Sequence, residues 1–294
     1  MKKLPLLLVA LLGLGAVAMT VRPPEVRLTR AGYPVTPSAS FLKVLARSHL
    51  QLVADLFWLK LINVSGSAKT SLESREMYVY GNLITDIDPQ FKIVYWFAGL
   101  NLPYFEDRQW QNADLASELY EKGYKLFPED LKISMYYAQN EALYRHNRAK
   151  GAELLKHVAT LPGAPVYAAP LAMRLMAEQS DFDSALAFAT ELYRTARTPA
   201  DRELFERRIK EIVLEQRLQT VDDAVARYKA RIGAAPQSLN DLVGAGDLPQ
   251  IPEDPLGGRI VLGHDGRAHS TVMEKRFETF VDPKDPSSQW RPQQ

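Results

Sequence analysis

Between residues 41 and 218 apolar side chains return at three- and four-residue steps, a period that fits helices and not strands. The first such run places Leu42, Leu45, Ala46, His49, Leu52, Val53 and Leu56 on one stripe. It predicts a helix reaching Gly66, whose freedom suits a C-cap. No alternating strand pattern appears before Gly257. Thr198-Pro199 predicts a helix start, with the threonine as N-cap and the proline in the first turn. The charged helix that follows has a narrow apolar stripe of Leu204, Ile209, Ile212 and Val213, as the end of a helical array requires. With 294 residues, 46% of them hydrophobic, the chain can bury a sizeable core.

Proline punctuates the helical pattern. Pro89, Pro128 and Pro162 each follow an apolar run, and 34 residues separate the last two. The first interval is 39 residues, and the excess falls in the polar stretch "FEDRQWQNA", read as an insertion between helices. Ten residues after the prolines stand Gly99, Ala138 and Ala172, small enough for two helices to approach closely. In the stretch "LYEKGYKLFPED", Ala116, Tyr120 and Gly123 precede Pro128 by twelve, eight and five residues. Here the chain resembles the tetratricopeptide-repeat (TPR) family, whose second helix carries small, aromatic and small residues and then a proline. The next unit departs from that pattern: Gly151, Leu155 and Val158 need a turn one residue longer, and Ser134 stands at the family's tryptophan position. The resemblance spans about residues 77–194 and implies antiparallel helical hairpins stacked as an α-solenoid. An irregular helical bundle is the alternative.

From residue 219 the pattern changes to a helix, a Gly-Pro turn, a short helix, a proline-rich loop and a β-hairpin turning at Asp265-Gly266. Tyr228, the Gly233 to Pro236 turn and "PEDPLGG" before a strand resemble the globular part of type II secretion major pseudopilins. The aromatic or charged calcium-site pattern of that family is missing. The expected organisation is a signal peptide or membrane anchor at 1–21 and an extended linker at 22–40. A TPR-like domain at 41–218, a small helix and hairpin segment at 219–270, and a flexible tail at 271–294 follow.

The N-terminal assignment rests on Lys2 and Lys3 before an uncharged apolar run at 4–21, with Ala16-Val17-Ala18 as a small-x-small cleavage pattern. That run is close to the roughly 20 residues that span hydrocarbon, so cleavage and retention are both open. Either places the body on the periplasmic side of a bacterial cell envelope, tethered to the inner membrane or secreted.

Chemistry is sparse. The chain has no cysteine, which removes disulfides, thiolate ligands and a cysteine nucleophile. A net charge of +1, from 36 basic and 35 acidic residues, gives no footprint for nucleic acid or for an anionic membrane surface as the main partner. His49, His146, His157, His264 and His269 make no metal-ligand spacing, so no metal and no cofactor is expected. There is no GxSxG stretch and no phosphate loop. Asp86 and Asp88, beside Pro89, read as helix-end capping groups and not as an acid–base pair.

Aromatic residues crowd the first half of the array, where core filling and partner binding are both open readings. Trp96, Tyr104, Trp110 and Tyr137 are the candidate contacts, with Trp110, in the polar insertion, the foremost. The expectation is a non-enzymatic adaptor or scaffold that binds protein partners in the envelope and touches the membrane through its N-terminal segment. Pilus, secretion or transport machinery is the expected setting. A small-ligand binder and an enzyme with an unrecognised site are the alternatives.

Overall fold

The computed structural model describes residues 34–273 and 275–276. The expected leader or anchor, most of the linker and most of the tail lie outside the described residues. The described chain is mainly helical, with eleven α-helices and two small antiparallel sheets. No helix among the described residues is long and apolar enough to cross a membrane.

In chain order the helices are α1 (Ala39–Leu45), α2 (Leu50–Ser67), α3 (Ser71–Ile87) and α4 (Lys92–Asn101). A hairpin, β1 (Tyr104–Glu106) and β2 (Gln109–Gln111), leads into α5 (Ala113–Leu126) and α6 (Leu131–Gln139). A π-helical turn, Asn140–Tyr144, separates α6 from α7 (Arg148–Val158). Next come α8 (Ala168–Ala177), α9 (Phe182–Thr195), α10 (Pro199–Ile232) and α11 (Leu239–Gly244), and last β3 (Ile260–Leu262) and β4 (Ala268–Ser270).

Side-chain caps punctuate the array. Thr70, Asp130, Asn147, Asp181 and Thr198 each accept a hydrogen bond from a backbone N–H of the first turn that follows, satisfying donors a helix start leaves open. Helices α2 to α10 pack chiefly on their sequence neighbours, and α2 with α4, α3 with α5, α4 with α6 and α8 with α10 also touch.

A close helix approach couples α4 to α5. A Cβ on Gly99 of α4 would stand 2.5 Å from the Tyr120 ring of α5, and one on Gly123 of α5 would stand 2.7 Å from the Tyr95 ring of α4. Each helix therefore receives the other's tyrosine where it lacks a side chain. Ala138 and Ala172, the small residues at the corresponding distance from the other prolines, are fully buried. The prolines share a further contact: Tyr95 donates to the Pro89 carbonyl at 3.1 Å and Ser134 to the Pro128 carbonyl at 3.1 Å, both from six residues on. Tyr95 and Ser134 thus stand at the same distance from their prolines and make the same contact through their hydroxyls.

These tyrosines predict alkaline lability. Burial first, then the charges of Asp86 and Asp88, push the Tyr95 hydroxyl up to about 12, against a lowering contribution from Thr85. Burial likewise holds Tyr120 well above the ordinary tyrosine value. The unfolded chain releases these protons near pH ~10, so the folded state binds more protons above that point. The stabilisation is intact below pH ~10 and is lost as pH rises through the folded values. Thermal melts should show a midpoint that falls over this window, less steeply in Tyr95→Phe. A flat profile would contradict the burial of these hydroxyls.

Three features depart from the sequence expectation. The helix foreseen from Phe41 to Gly66 is two, interrupted at 46–49, where Ser48 Oγ and His49 Nδ1 pair at 2.8 Å and α2 starts without a side-chain cap. Gly66 does not end α2, which continues to Ser67.

The polar insertion contains the β1–β2 hairpin, with Phe105 opposite Trp110. Three-residue strands are too short to show alternation. The turn is made by Asp107 (φ 51°) and Arg108 (φ 63°), not by the asparagine–glycine or aspartate–glycine pairs that signal such turns.

The boundary expected at 218/219 falls inside α10, a 34-residue helix that ends where Gly233 turns left-handed at φ 78°. The main core includes Ile212 of α10, and a second begins at Leu214, joining Val221, Val225, Leu242, Leu248, Ile260 and Ala268. Arg276, in the segment expected as a flexible tail, is buried against α10.

Candidate protein-interaction surface

The hairpin is fixed to the start of α3 by side chains that leave its outer face free. Tyr104 donates to the Lys69 carbonyl at 2.6 Å, and Glu106 accepts from the Ser71 hydroxyl and, at 3.3 Å, from its N–H. Asn112, left-handed at φ 62°, ends the hairpin. Its amide donates to the Ser71 carbonyl at 2.7 Å and to Ser74 Oγ at 2.6 Å, while Arg75 Nε donates back to its oxygen at 2.9 Å. A three-residue ladder alone would be marginal in water; these contacts to α3 hold it.

Phe105 is 58% exposed and Trp110 39%, and their rings meet across the strands at 5.2 Å. Trp110 also packs on Tyr144 at 4.3 Å. Tyr144 closes the π-helical turn, a single wide turn of the kind often found at functional positions. The three rings form a continuous, partly exposed row drawn from two distant stretches of sequence.

Beneath the row, the π-helical turn brings buried polar groups together. Asn140 donates to the Ala113 carbonyl at 2.9 Å and to Ser117 Oγ at 2.8 Å, and Ser117 donates to Glu141 Oε1. Arg145 pairs with the same oxygen at 3.2 Å. Asn140 Oδ1 and Glu141 Oε2 are buried with no partner among the described residues. The network locks α5 to the turn, and so fixes Tyr144 beneath Trp110.

Of the four candidate contacts, Trp110 is on the exposed row. Tyr104 is half-buried and spends its hydroxyl on holding the hairpin. Trp96 is half-buried in another group of rings, stacked on Tyr136 at 6.0 Å with the Lys132 ammonium 4.8 Å from its ring centre. Tyr137 is a correction: it is 1% exposed, stacked on Tyr120 at 5.9 Å, and fills the core. Burial raises its hydroxyl pKa, opposed by the neighbouring Lys150. Phe105 and Tyr144 were not anticipated. Phe105 stands five residues before Trp110, a spacing that signals a cross-strand pair only once the hairpin is known.

Four of the groups considered for chemistry make contacts within the fold. Asp86 pairs with Lys122 at 2.5 Å, and Asp88 accepts from the Gln90 N–H at 3.0 Å. His269 pairs with Asp265 at 2.9 Å across the β3–β4 turn, and His157 contacts the Pro128 carbonyl at 2.8 Å. No group of three or more His, Cys, Asp or Glu among the described residues could hold a metal ion. Two surface grooves are charged, one lined by Glu203, Glu206, Arg207 and Lys210, the other by Lys92, Glu129, Asp130 and Lys132 around Phe127 and Pro128.

Comparison with protein-family models, with curated proteins and with solved structures finds no match to the chain. The described residues define a mainly helical protein that carries a hairpin braced on α3, with a partly exposed aromatic row.

Proposed function

We propose that the protein is a TPR-like adaptor or scaffold of the cell envelope, a stack of helical hairpins that binds a protein partner through the Phe105–Trp110–Tyr144 row. The observation that carries this reading is the exposure of two large aromatic side chains on a hairpin held by six polar contacts. Rigid, partly exposed aromatic residues lose little entropy on binding and act as anchors at protein interfaces. Support for the repeat comes from the reciprocal tyrosine–glycine contacts of α4 and α5, the matching hydroxyl contacts to Pro89 and Pro128, and the neighbour-to-neighbour packing. The apolar run at 4–21 supports a periplasmic position with the chain tethered to, or exported across, the inner membrane. The pseudopilin-like features around Tyr228 and "PEDPLGG" favour pilus or secretion machinery as the setting.

Cross-linking in intact cells, followed by purification from the membrane fraction, should recover one defined set of partners with the wild-type protein. Phe105→Ala and Trp110→Ala should lose them, each weakening binding by about 2 kcal/mol or more. Phe105→Ala, at an exposed position, should keep its unfolding midpoint within about 0.5 kcal/mol of wild type. Undiminished recovery of the same partners by both variants would remove the row from the interface.

A further inference from the structure

One side of α2 packs into the core through Ala54 and Leu61, with Phe57 and Trp58 beside them. A surface helix would be polar on the opposite side. Here that side carries Leu52, Leu56, Leu59 and Ile62, between 41% and 62% exposed. Helix α1, packed against α2 and α3, adds Val44 and Leu45, which are 70% and 71% exposed. An apolar surface of this extent marks a docking face. Its setting is basic: residues 35–69 hold Lys43, Arg47, Lys60 and Lys69 against one acid, Asp55, whereas the chain as a whole is nearly neutral.

We propose that the outer face of α1 and α2 rests on an anionic lipid bilayer, with Leu52, Leu56, Leu59 and Ile62 at the acyl boundary and the basic residues among the headgroups. Two observations select lipid over another occupant. Apolar residues flanked by lysine and arginine are the composition of helices that lie in the membrane interface. Only twelve residues, 22–33, separate the apolar run at 4–21 from the first described residue, and their reach is at most about 40 Å. A retained run in the bilayer would hold α1 and α2 beside its surface. Asp55 and Asn63 also lie on the exposed side, so the contact is shallow and does not span the bilayer. Such docking would orient the helical array relative to the membrane instead of leaving it on a free tether.

The absence of cysteine makes the test clean, because a single introduced thiol takes up all the label. Full-length Leu52→Cys, Leu59→Cys and, as a control, Glu203→Cys are labelled with an environment-sensitive fluorophore in phosphatidylglycerol–phosphatidylethanolamine vesicles. The labels at positions 52 and 59 should shift to the blue and be quenched several-fold more strongly by nitroxide lipids than the label at 203. Vesicles of neutral phosphatidylcholine should weaken that difference. Water-like emission at 52 and 59 would overturn the proposal. So would shielding without lipid quenching, accompanied by cross-links from position 59 to a second copy or to residues 4–21. None of these readouts depends on the hairpin's partner, so this proposal and the adaptor reading can fail separately.

Discussion

Gly99→Leu should lower the unfolding midpoint of the helical array by the equivalent of about 1–3 kcal/mol, the cost of forcing extra atoms into a packed core. Even the first added carbon would sit 2.5 Å from the Tyr120 ring. That ring has nowhere to go: it is 1% exposed and stacked on the buried Tyr137. Trimming Tyr120 should relieve the clash, so Gly99→Ala should cost less in a Tyr120→Leu background than alone, and the difference measures the coupling. Gly66 gives the opposite sign. It lies within α2, and a Cβ added there would meet nothing within 4 Å, so Gly66→Ala should stabilise by about 0.5–1 kcal/mol through backbone entropy. Chemical-denaturation curves of these variants test the assignment together. An unchanged midpoint in Gly99→Leu would contradict the α4–α5 packing.

Arg276→Met should destabilise the second core, by about 3 kcal/mol, because it removes the guanidinium shared by buried Glu215 and half-buried Asp222, although Arg267 stays 3.8 Å from Asp222. Arg276 Nε and Nη2 donate to Glu215 Oε1 at 2.9 and 2.5 Å, and Nη1 donates to Asp222. Burial works against the guanidinium charge, but Glu215 and Asp222 outweigh it and raise the Arg276 pKa above its ordinary value. Asp222 also accepts from the Ala268 N–H at 2.7 Å, so the same cluster positions β4 on α10. Arg276→Lys should recover only part of the loss, since an ammonium cannot reproduce the two-sided fork. Hydrogen exchange is the discriminating readout: amides of β3, β4 and α11 should exchange faster while those of α4 and α5 keep their protection. Uniform loss across both cores would show that α10 couples them into one unit, and no change would remove the cluster from the stability of the C-terminal segment.

The helical class of the chain was legible because the apolar period is a local signal, carried by residues such as Leu42, Ala54, Leu61 and Ile84 that face the core. Gly99, Ala138 and Ala172 stood out because small residues inside an apolar helical pattern mark buried positions: Gly99 meets the Tyr120 ring, and the two alanines are fully buried. The hairpin was not, because its strands are short and its turn is built by Asp107 and Arg108 in left-handed conformations that their side chains do not advertise. The continuity of α10 was obscured by the change of composition at residue 219, although the break that matters, from one core to the next, falls between Ile212 and Leu214 without disturbing the backbone. Of the candidate surface, Trp110 stood out by its polar surroundings. Tyr137 misled because a tyrosine in a helical pattern looks the same whether it faces a partner or a neighbouring ring. Tyr144 depends on a buried network, Ser117 to Glu141, that joins residues 24 positions apart and has no sequence signature.

Site-specific photo-cross-linking in intact cells tests the central claim most directly. A photoreactive phenylalanine analogue would replace Phe105 in one version of the protein and the exposed Glu203 in another. The adaptor account predicts one defined set of protein adducts from position 105 that position 203 does not give. Uncross-linked protein alone, or the same adducts from both positions, would contradict it.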